Sequence, residues 1–299
     1  NRIVQDAQSA GPDSDAGRMV RWCAGHLDVF EGHSDLVALN HDNPAVREHV
    51  TRIMNYWCGR GVDGWRLDAA YSVNPEFWAA VLPSVREKYP DVWIFGEVIH
   101  GDYASIVRAS GMDSVTQYEL WKGIWSSIES RNFFELDHAL GRHNEFSDAF
   151  TPMTFVGNHD VTRIASRVGQ DGAVLATAIL ATIGGIPLIY YGDELAYRGV
   201  KEERFGGDDD IRPVFPASPA DLSNLGADTL RAHQSLLGLR RRHPWLVDAR
   251  TESLDLTNER YVYRTGVPGV EPLIVELDVR DGCSVLIREV GQVVWSSGA

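Results

Sequence analysis

Apolar positions change their spacing twice along the chain, and the changes divide it into three stretches. Residues 1–43 show no sustained period. Turn chemistry at Gly11-Pro12-Asp13-Ser14-Asp15 and Glu31-Gly32-His33-Ser34 marks an irregular opening subdomain. Residues 44–246 alternate between two periods. Asn43 can cap a helix that Pro44 opens, with Val46, Val50, Ile53, Met54 and Trp57 at helical spacing and Gly59 and Gly61 at its end. Strands are then predicted at 62–67, 92–96, 114–118, 153–156 and 186–190. Helices are predicted over 75–88, 103–109, from 118 to about 142, over 173–183, and from about 227 to 242. Residues 247–299 lose the helical period. Short runs around Tyr261, Leu273, Ser284 and Val293 sit between turn residues, as in a small all-β domain, a sandwich.

Strands this short alternating with helices imply βαβ units and a buried parallel sheet. Five such units after an opening helix amount to more than half of an eight-fold barrel, and an open doubly wound sheet would alternate in the same way. No Gly-x-Gly-x-x-Gly turn follows any strand, which removes the usual dinucleotide fold.

Composition narrows the function classes. Among 299 residues, 28 Lys+Arg against 42 Asp+Glu leave a net charge of −14, which disfavours nucleic acid and anionic membrane surfaces as partners. No apolar run approaches the roughly 20 residues of a spanning helix. Cys23, Cys58 and Cys283 are scattered and odd in number; they read as buried small hydrophobes, not as a disulfide framework or a zinc site. That usage leans towards a reducing compartment, so a cytoplasmic location is the expectation. Nine tryptophans hint at sugar binding, although most are expected in the core.

Three predicted strands lead into acids: Arg66-Leu67-Asp68, Phe95-Gly96-Glu97 and, beyond the fourth strand, Asn158-His159-Asp160. In a parallel barrel, strand C-terminal ends meet on one face. Taken singly, Asp68 or Glu97 reads as a cap or turn residue and His159 as a structural histidine. Jointly the acids would repel, an arrangement that suits glycoside hydrolysis, where a carboxylate nucleophile and a carboxyl acid flank one bond. Arg66, two residues before Asp68, points to the same side of its strand and can orient that carboxylate as an ion pair.

Gly61-Val62-Asp63-Gly64-Trp65-Arg66-Leu67-Asp68-Ala69-Ala70, Phe95-Gly96-Glu97-Val98 and Phe155-Val156-Gly157-Asn158-His159-Asp160, in that order, resemble three main signatures of the alpha-amylase family of glycoside hydrolases. Leu39-Asn40 with Asp42-Asn43-Pro44, and Gly184-Gly185-Ile186-Pro187 with Tyr190-Tyr191-Gly192-Asp193-Glu194, are similar to further family segments. The resemblance implies an α/β fold, a TIM (β/α)8-type barrel with a C-terminal all-β domain. It also implies a retaining mechanism: Asp68 as nucleophile, Glu97 as acid/base, Asp160 as the third acid and His159 as a sugar ligand. Asn158 and Arg66 join the substrate-binding residues. Arg212, in the loop Gly206-Gly207-Asp208-Asp209-Asp210-Ile211-Arg212-Pro213, is a further candidate sugar ligand, since family members carry an acidic/Arg loop there. The family's Asp-x-x-x-x-Asn-His signature does not occur, and by the resemblance it belongs upstream of Asn1, so the chain is expected to lack the N-terminal barrel strands and to be inactive by itself. Ala70-Tyr71-Ser72-Val73 replaces the Lys-His stretch of classical members, so no metal site is assigned and no cofactor is expected.

The expected function is hydrolysis of α-glucosidic bonds in α-glucans or maltooligosaccharides through a covalent glycosyl-enzyme, with an oligo- or polysaccharide as partner. Transglycosylation or isomerisation on the same machinery is the nearest alternative, because a sugar can capture the intermediate in place of water. A non-catalytic carbohydrate-binding relative would be expected to have lost one of the acids. A sugar-phosphate enzyme would need a phosphate loop late in the barrel, for which Gly184-Gly185 and Gly206-Gly207 are slight support.

Overall fold

The computed structural model describes residues 2–222 and 224–297; positions 1, 223, 298 and 299, which include the outer limits of the expected domains, lie outside the described residues. The chain divides into two compact units, Asn1–Asp113 and Ser114–Ala299.

The first unit opens with helix α1 (Arg2–Ala10), the single turn α2 (Asp15–Arg18) and a small hairpin of β1 (Trp22–Cys23) and β2 (His26–Leu27). This corrects the expectation of an irregular segment over 1–43. Ile3 and Ala7 stand one helical turn apart, a span too short to register as a period. Then follow α3 (Pro44–Cys58), β3 (Gly64–Leu67), α4 (Pro75–Arg86), β4 (Trp93–Gly96) and α5 (Tyr103–Ser110). The Asn43 side chain accepts from the Ala45 N–H at 2.9 Å, capping α3 behind Pro44 as its sequence predicts. Strands β3 and β4 run parallel, Gly64 opposite Trp93 and Leu67 opposite Gly96. Helix α4, which buries Phe77, Trp78, Val81, Leu82 and Val85, packs between α3 and α5.

The second unit contains β5 (Ser114–Val115), α6 (Tyr118–Glu129), α7 (Phe133–Ser147), β6 (Met153–Phe155), α8 (Ile164–Thr182), β7 (Ile186–Leu188) and α9 (Ala227–Arg242). Strands β6 and β7 are parallel, and Thr116 bridges Met153 in the same sense. The single helix expected up to residue 142 is two helices, broken where Arg131 turns left-handed at φ 53°. From Gly172 to Thr182, α8 buries every residue except Val174. A helix apolar all round needs partners on every side. Leu120, Ile124, Leu136 and Leu140 of α6 and α7 supply some, and Leu236 and Leu239 of α9 supply others.

The remaining side is covered by a sheet of β8 (Arg250–Leu256), β9 (Arg260–Gly266), β10 (Leu273–Asp278), β11 (Ser284–Glu289) and β12 (Gln292–Ser296), antiparallel in the order β12-β11-β10-β9-β8. It presents Tyr261, Tyr263, Val275, Leu277 and Ile287 to the same core, and the Tyr263 hydroxyl meets Thr182 Oγ1 at 2.7 Å. The expected sandwich is therefore corrected to one sheet, because the layer opposing its apolar face is helical. The sheet accordingly belongs to the same compact unit, Ser114–Ala299, as the helices it covers. Arg240, buried on α9, ties that helix to the end of α8 by donating to the carbonyls of Ile183 at 2.7 Å and Gly185 at 2.5 Å. Burial without a carboxylate partner holds its pKa down at about 10.

The three cysteines are unpaired; Cys58 is buried, as expected, but Cys23 is exposed and Cys283 half-buried. Among the described residues, no helix is long and apolar enough to cross a membrane, and no group of three or more His, Cys, Asp or Glu side chains could hold a metal ion.

His143 of α7 is buried, its Nε2–H donating to the Gly184 carbonyl at 3.2 Å, and burial pushes its pKa down to about 4. The folded state therefore resists a proton that the unfolded chain takes up near pH 6.5, so this side chain's share of stability is lost as pH falls from about 6.5 towards 4. The expected outcome is that His143→Gln narrows the drop in urea midpoint between pH 7 and pH 5. An equal drop in both proteins would contradict this account.

Candidate active site

In the first unit, the register of β3 and β4 sets Asp68 and Glu97 side by side. Each is the residue after its strand, and the Glu97 N–H continues the ladder by donating to the Leu67 carbonyl at 2.8 Å. Arg66 lies between the two carboxylates. Its Nη1 donates to Asp68 Oδ1 at 2.7 Å, and its Nη2 reaches Glu97 Oε1 at 2.6 Å. Desolvation, the largest single effect on Arg66, lowers its pKa, but Glu97 and Asp68 together outweigh that and raise it.

The two acids differ in exposure. The Asp68 side chain is 78% accessible and that of Glu97 only 8%. A buried carboxylate needs partners for both oxygens. Glu97 Oε2 finds one in the Ala69 N–H at 3.0 Å. Ala69 itself sits left-handed at φ 44°, a conformation uncommon for a non-glycine residue. Close approach continues at Gly96, where a Cβ would lie 2.7 Å from Met112 Sδ and 2.9 Å from Ala70 Cβ. Beside this cluster the Tyr71 hydroxyl donates to Glu31 Oε1 at 2.8 Å. Burial first, and then Glu31, push its pKa up to about 12.

In the second unit, the loop after β6 carries Asn158, His159 and Asp160. Asn158 is engaged at both ends of its amide: Nδ2 donates to the Tyr118 hydroxyl at 2.9 Å, and Oδ1 accepts from the Asp160 N–H at 2.9 Å. It shapes the turn that presents Asp160. Asp160 Oδ1 receives Arg212 Nη2 at 2.8 Å, while Oδ2 faces His159 Nε2 at 3.1 Å. Arg212 also donates through Nε to the His159 carbonyl at 2.7 Å and pairs with Asp208 at 2.8 Å. The structure thus groups the predicted residues as Arg66, Asp68 and Glu97 in one unit and Asn158, His159, Asp160 and Arg212 in the other.

Residues 26–251 match the family model of the alpha-amylase catalytic domain. The chain belongs to the alpha-amylase family. It is 34% identical over 188 residues to alpha-amylase 3 of Dictyoglomus thermophilum, covering 58% of this chain and 37% of that protein. It is 31% identical over 234 residues to the maltogenic alpha-amylase of Bacillus acidopullulyticus, covering 75% of this chain and 38% of that one. The chain therefore spans well under half the length of these curated relatives. In fold it is similar to the ligand-free cyclic α-maltosyl-(1→6)-maltose hydrolase of Arthrobacter globiformis, with a TM-score of 0.80 and 21% identity, over 98% of this chain and 70% of that one. The fold class is accordingly that of the family's TIM-barrel catalytic domain followed by a C-terminal sheet domain.

Alpha-amylase family signatures led to these acids and included Asp193, but they did not show that it pairs with the buried Arg163. Arg163, fully buried, donates from Nη1 to the Tyr191 carbonyl at 2.6 Å and to Asp193 Oδ1 at 3.0 Å, and from Nε to the Ile211 carbonyl at 3.1 Å. The Tyr190 ring lies 4.2 Å from its guanidinium carbon. Arg163 thereby joins the loop after β7 to the residue preceding Arg212. Asp193 in turn packs against Gly157, where a Cβ would lie 2.4 Å from its Oδ2, so the Asn158–Asp160 loop needs glycine at its base. Position 163 stands three residues after Asp160, but only tertiary structure brings it to Asp193.

Burial, only partly offset by Arg163, raises the pKa of Asp193 to about 6. Arg163→Met leaves that carboxylate buried and alone, a change that costs about 3–5 kcal/mol where the acid is ionised. The expected loss is largest at pH 8 and smaller at pH 5, where Asp193 takes up a proton, as read by urea unfolding at the two values. A loss independent of pH would sink this assignment of the pair.

Proposed function

We propose that this chain carries the catalytic carboxylates of a retaining glycoside hydrolase acting on α-glucosidic bonds of α-glucans or maltooligosaccharides. The observation that carries the proposal is the guanidinium of Arg66 shared by two carboxylates, one exposed and one buried, at the ends of adjacent parallel strands. Sharing one cation keeps the two acids near each other, as retention requires; retaining pairs stand about 5–5.5 Å apart and inverting pairs about 6.5–9.5 Å.

In the first step Asp68 attacks the anomeric carbon and the bond to the glycosidic oxygen breaks. Glu97, which must enter this step as the protonated acid, gives that oxygen its proton and is left as a carboxylate. Asp68 loses its charge on forming the ester, and Arg66 keeps Glu97 as its carboxylate partner. In the second step Glu97 takes a proton from water, whose oxygen attacks the same carbon and releases Asp68. Asp160 and His159 are assigned the sugar hydroxyls, a grip that strengthens as the ring flattens. Arg212 holds Asp160 in place and Arg66 holds Asp68, so both arginines act on substrate through the acids they orient. If a sugar hydroxyl replaces water in the second step, the same residues transfer instead of hydrolysing.

The anomer first released, read by proton NMR on maltooligosaccharides, tests the mechanism: α-product supports retention, and β-product overturns it. Asp68→Asn is expected to reduce turnover to background. Glu97→Gln should lower kcat about 10²–10⁴-fold on maltooligosaccharides and far less on an α-glucosyl fluoride, whose leaving group needs no proton. Equal losses on both substrates would contradict the acid/base role.

A further inference from the structure

Ala70-Tyr71-Ser72-Val73 stands where classical members of the family carry Lys-His, so what this stretch does belongs to this chain in particular. In the structure it forms a tight turn directly after Asp68. Ser72 closes the turn, its N–H donating to the Ala69 carbonyl at 2.9 Å and its Oγ donating to the same oxygen at 2.8 Å. The turn meets Glu97 twice. The Ala69 N–H donates to Glu97 Oε2 at 3.0 Å, and the Tyr71 N–H donates to the Glu97 carbonyl at 3.3 Å. With Arg66 Nη2 on Oε1, both carboxyl oxygens face a donor, and together the two donors set the plane of the carboxyl group.

The turn is fastened by a residue far along the chain. The Tyr71 side chain leaves the turn, and its hydroxyl donates to Glu31 Oε1 at 2.8 Å. Glu31 is presented by a closed loop, in which the Phe30 N–H donates to the Leu36 carbonyl at 2.8 Å and Val29 bridges Val37. The Tyr71 ring also packs against that of His100, three residues beyond Glu97, with centroids 5.5 Å apart. Burial first, then Glu31, and after them Glu97 and Asp68 raise the Tyr71 pKa to about 12. The hydroxyl therefore stays a donor wherever the acids work, and it lies within the field of both. A hydroxyl on a carboxylate is a charge-assisted bond, stronger than one between neutral groups.

We infer that Tyr71 and Glu31 are positioning residues for Glu97: their hydrogen bond anchors the turn that aims its carboxyl group at the leaving oxygen. The acid/base role of Glu97 itself rests on the proposed function. Neither Tyr71 nor Glu31 touches substrate in this assignment, and both act through the N–H groups of Ala69 and Tyr71. Loss of this latch weakens proton delivery more than nucleophilic attack, because the Asp68 carboxylate is held by Arg66.

In the full chain, kinetics on maltooligosaccharides and on an α-glucosyl fluoride, beside amide hydrogen exchange at Ala69, test the latch. The ratio kcat/KM reports the steps up to departure of the first leaving group, where only the maltooligosaccharide needs the proton. Tyr71→Phe and Glu31→Ala are each expected to lower kcat/KM about tenfold on maltooligosaccharides and far less on the fluoride. Glu31→Gln keeps an oxygen that accepts from Tyr71 and should recover most of the loss. Combining Tyr71→Phe with Glu31→Ala should cost no more than either alone, since each removes the same bond. Every variant without the bond should also exchange the Ala69 N–H faster than the parent. Equal losses on both substrates, losses that add in the double variant, or rates and exchange like the parent's overturn the inference. If Glu97→Gln loses equally on both substrates, or the parent turns over neither, the catalytic proposal fails. The latch then stands on faster exchange at Ala69 and falls on unchanged exchange.

Discussion

Carboxylates gathered at the ends of parallel strands repel one another, and in this chain each is met by an arginine. Two like charges about 4 Å apart cost on the order of 4 kcal/mol where the effective dielectric is about 20. Arg66 answers that for Asp68 and Glu97, Arg212 for Asp160, and Arg163 for Asp193. The compensation is graded by depth. Arg163 is fully buried and fixes backbone carbonyls as well as its acid, whereas Arg212 is exposed and holds the acid assigned to the sugar. Local backbone geometry accommodates the same acids: the Ala69 N–H donates to Glu97, and Gly157 leaves the space a Cβ would take to Asp193.

Much of this was legible in the sequence because it is local. Arg66 and Asp68 lie two apart where one strand ends, so the period of a strand predicts their pairing. The Asn43-Pro44 cap and the alternation of strands and helices are signals of the same short range. What escaped depends on partners far along the chain. Arg163 and Asp193 are thirty residues apart, and nothing in either segment marks the other. Strand β8, Arg-Thr-Glu-Ser-Leu-Asp-Leu, is an edge strand with its middle positions exposed, so it carries no apolar alternation to recognise.

The sandwich expectation failed for a related reason. Alternation along β9 to β11 shows that one face is buried, as Tyr261, Tyr263, Val275 and Leu277 confirm, but it does not say what lies opposite. The clue was in α8, whose run from Gly172 to Thr182 is too uniformly apolar for a helix covered on one side. The break between α6 and α7 had no comparable signal, since Arg131 adopts a backbone conformation its residue type does not favour.

The wholly apolar helix also sets a schedule for synthesis. A ribosome makes α8 about a hundred residues before it makes Ile287, the last of the sheet residues packed on the shared core. At about 5–20 residues per second, that leaves one side of the helix without its native cover for roughly 5–20 s. Helices α6 and α7 precede it and can shield it on their side at once, but the sheet is complete only about a hundred residues later. The nascent chain therefore passes through a stage in which its most hydrophobic segment is half wrapped, and this stage is where chaperone capture or aggregation would compete with folding.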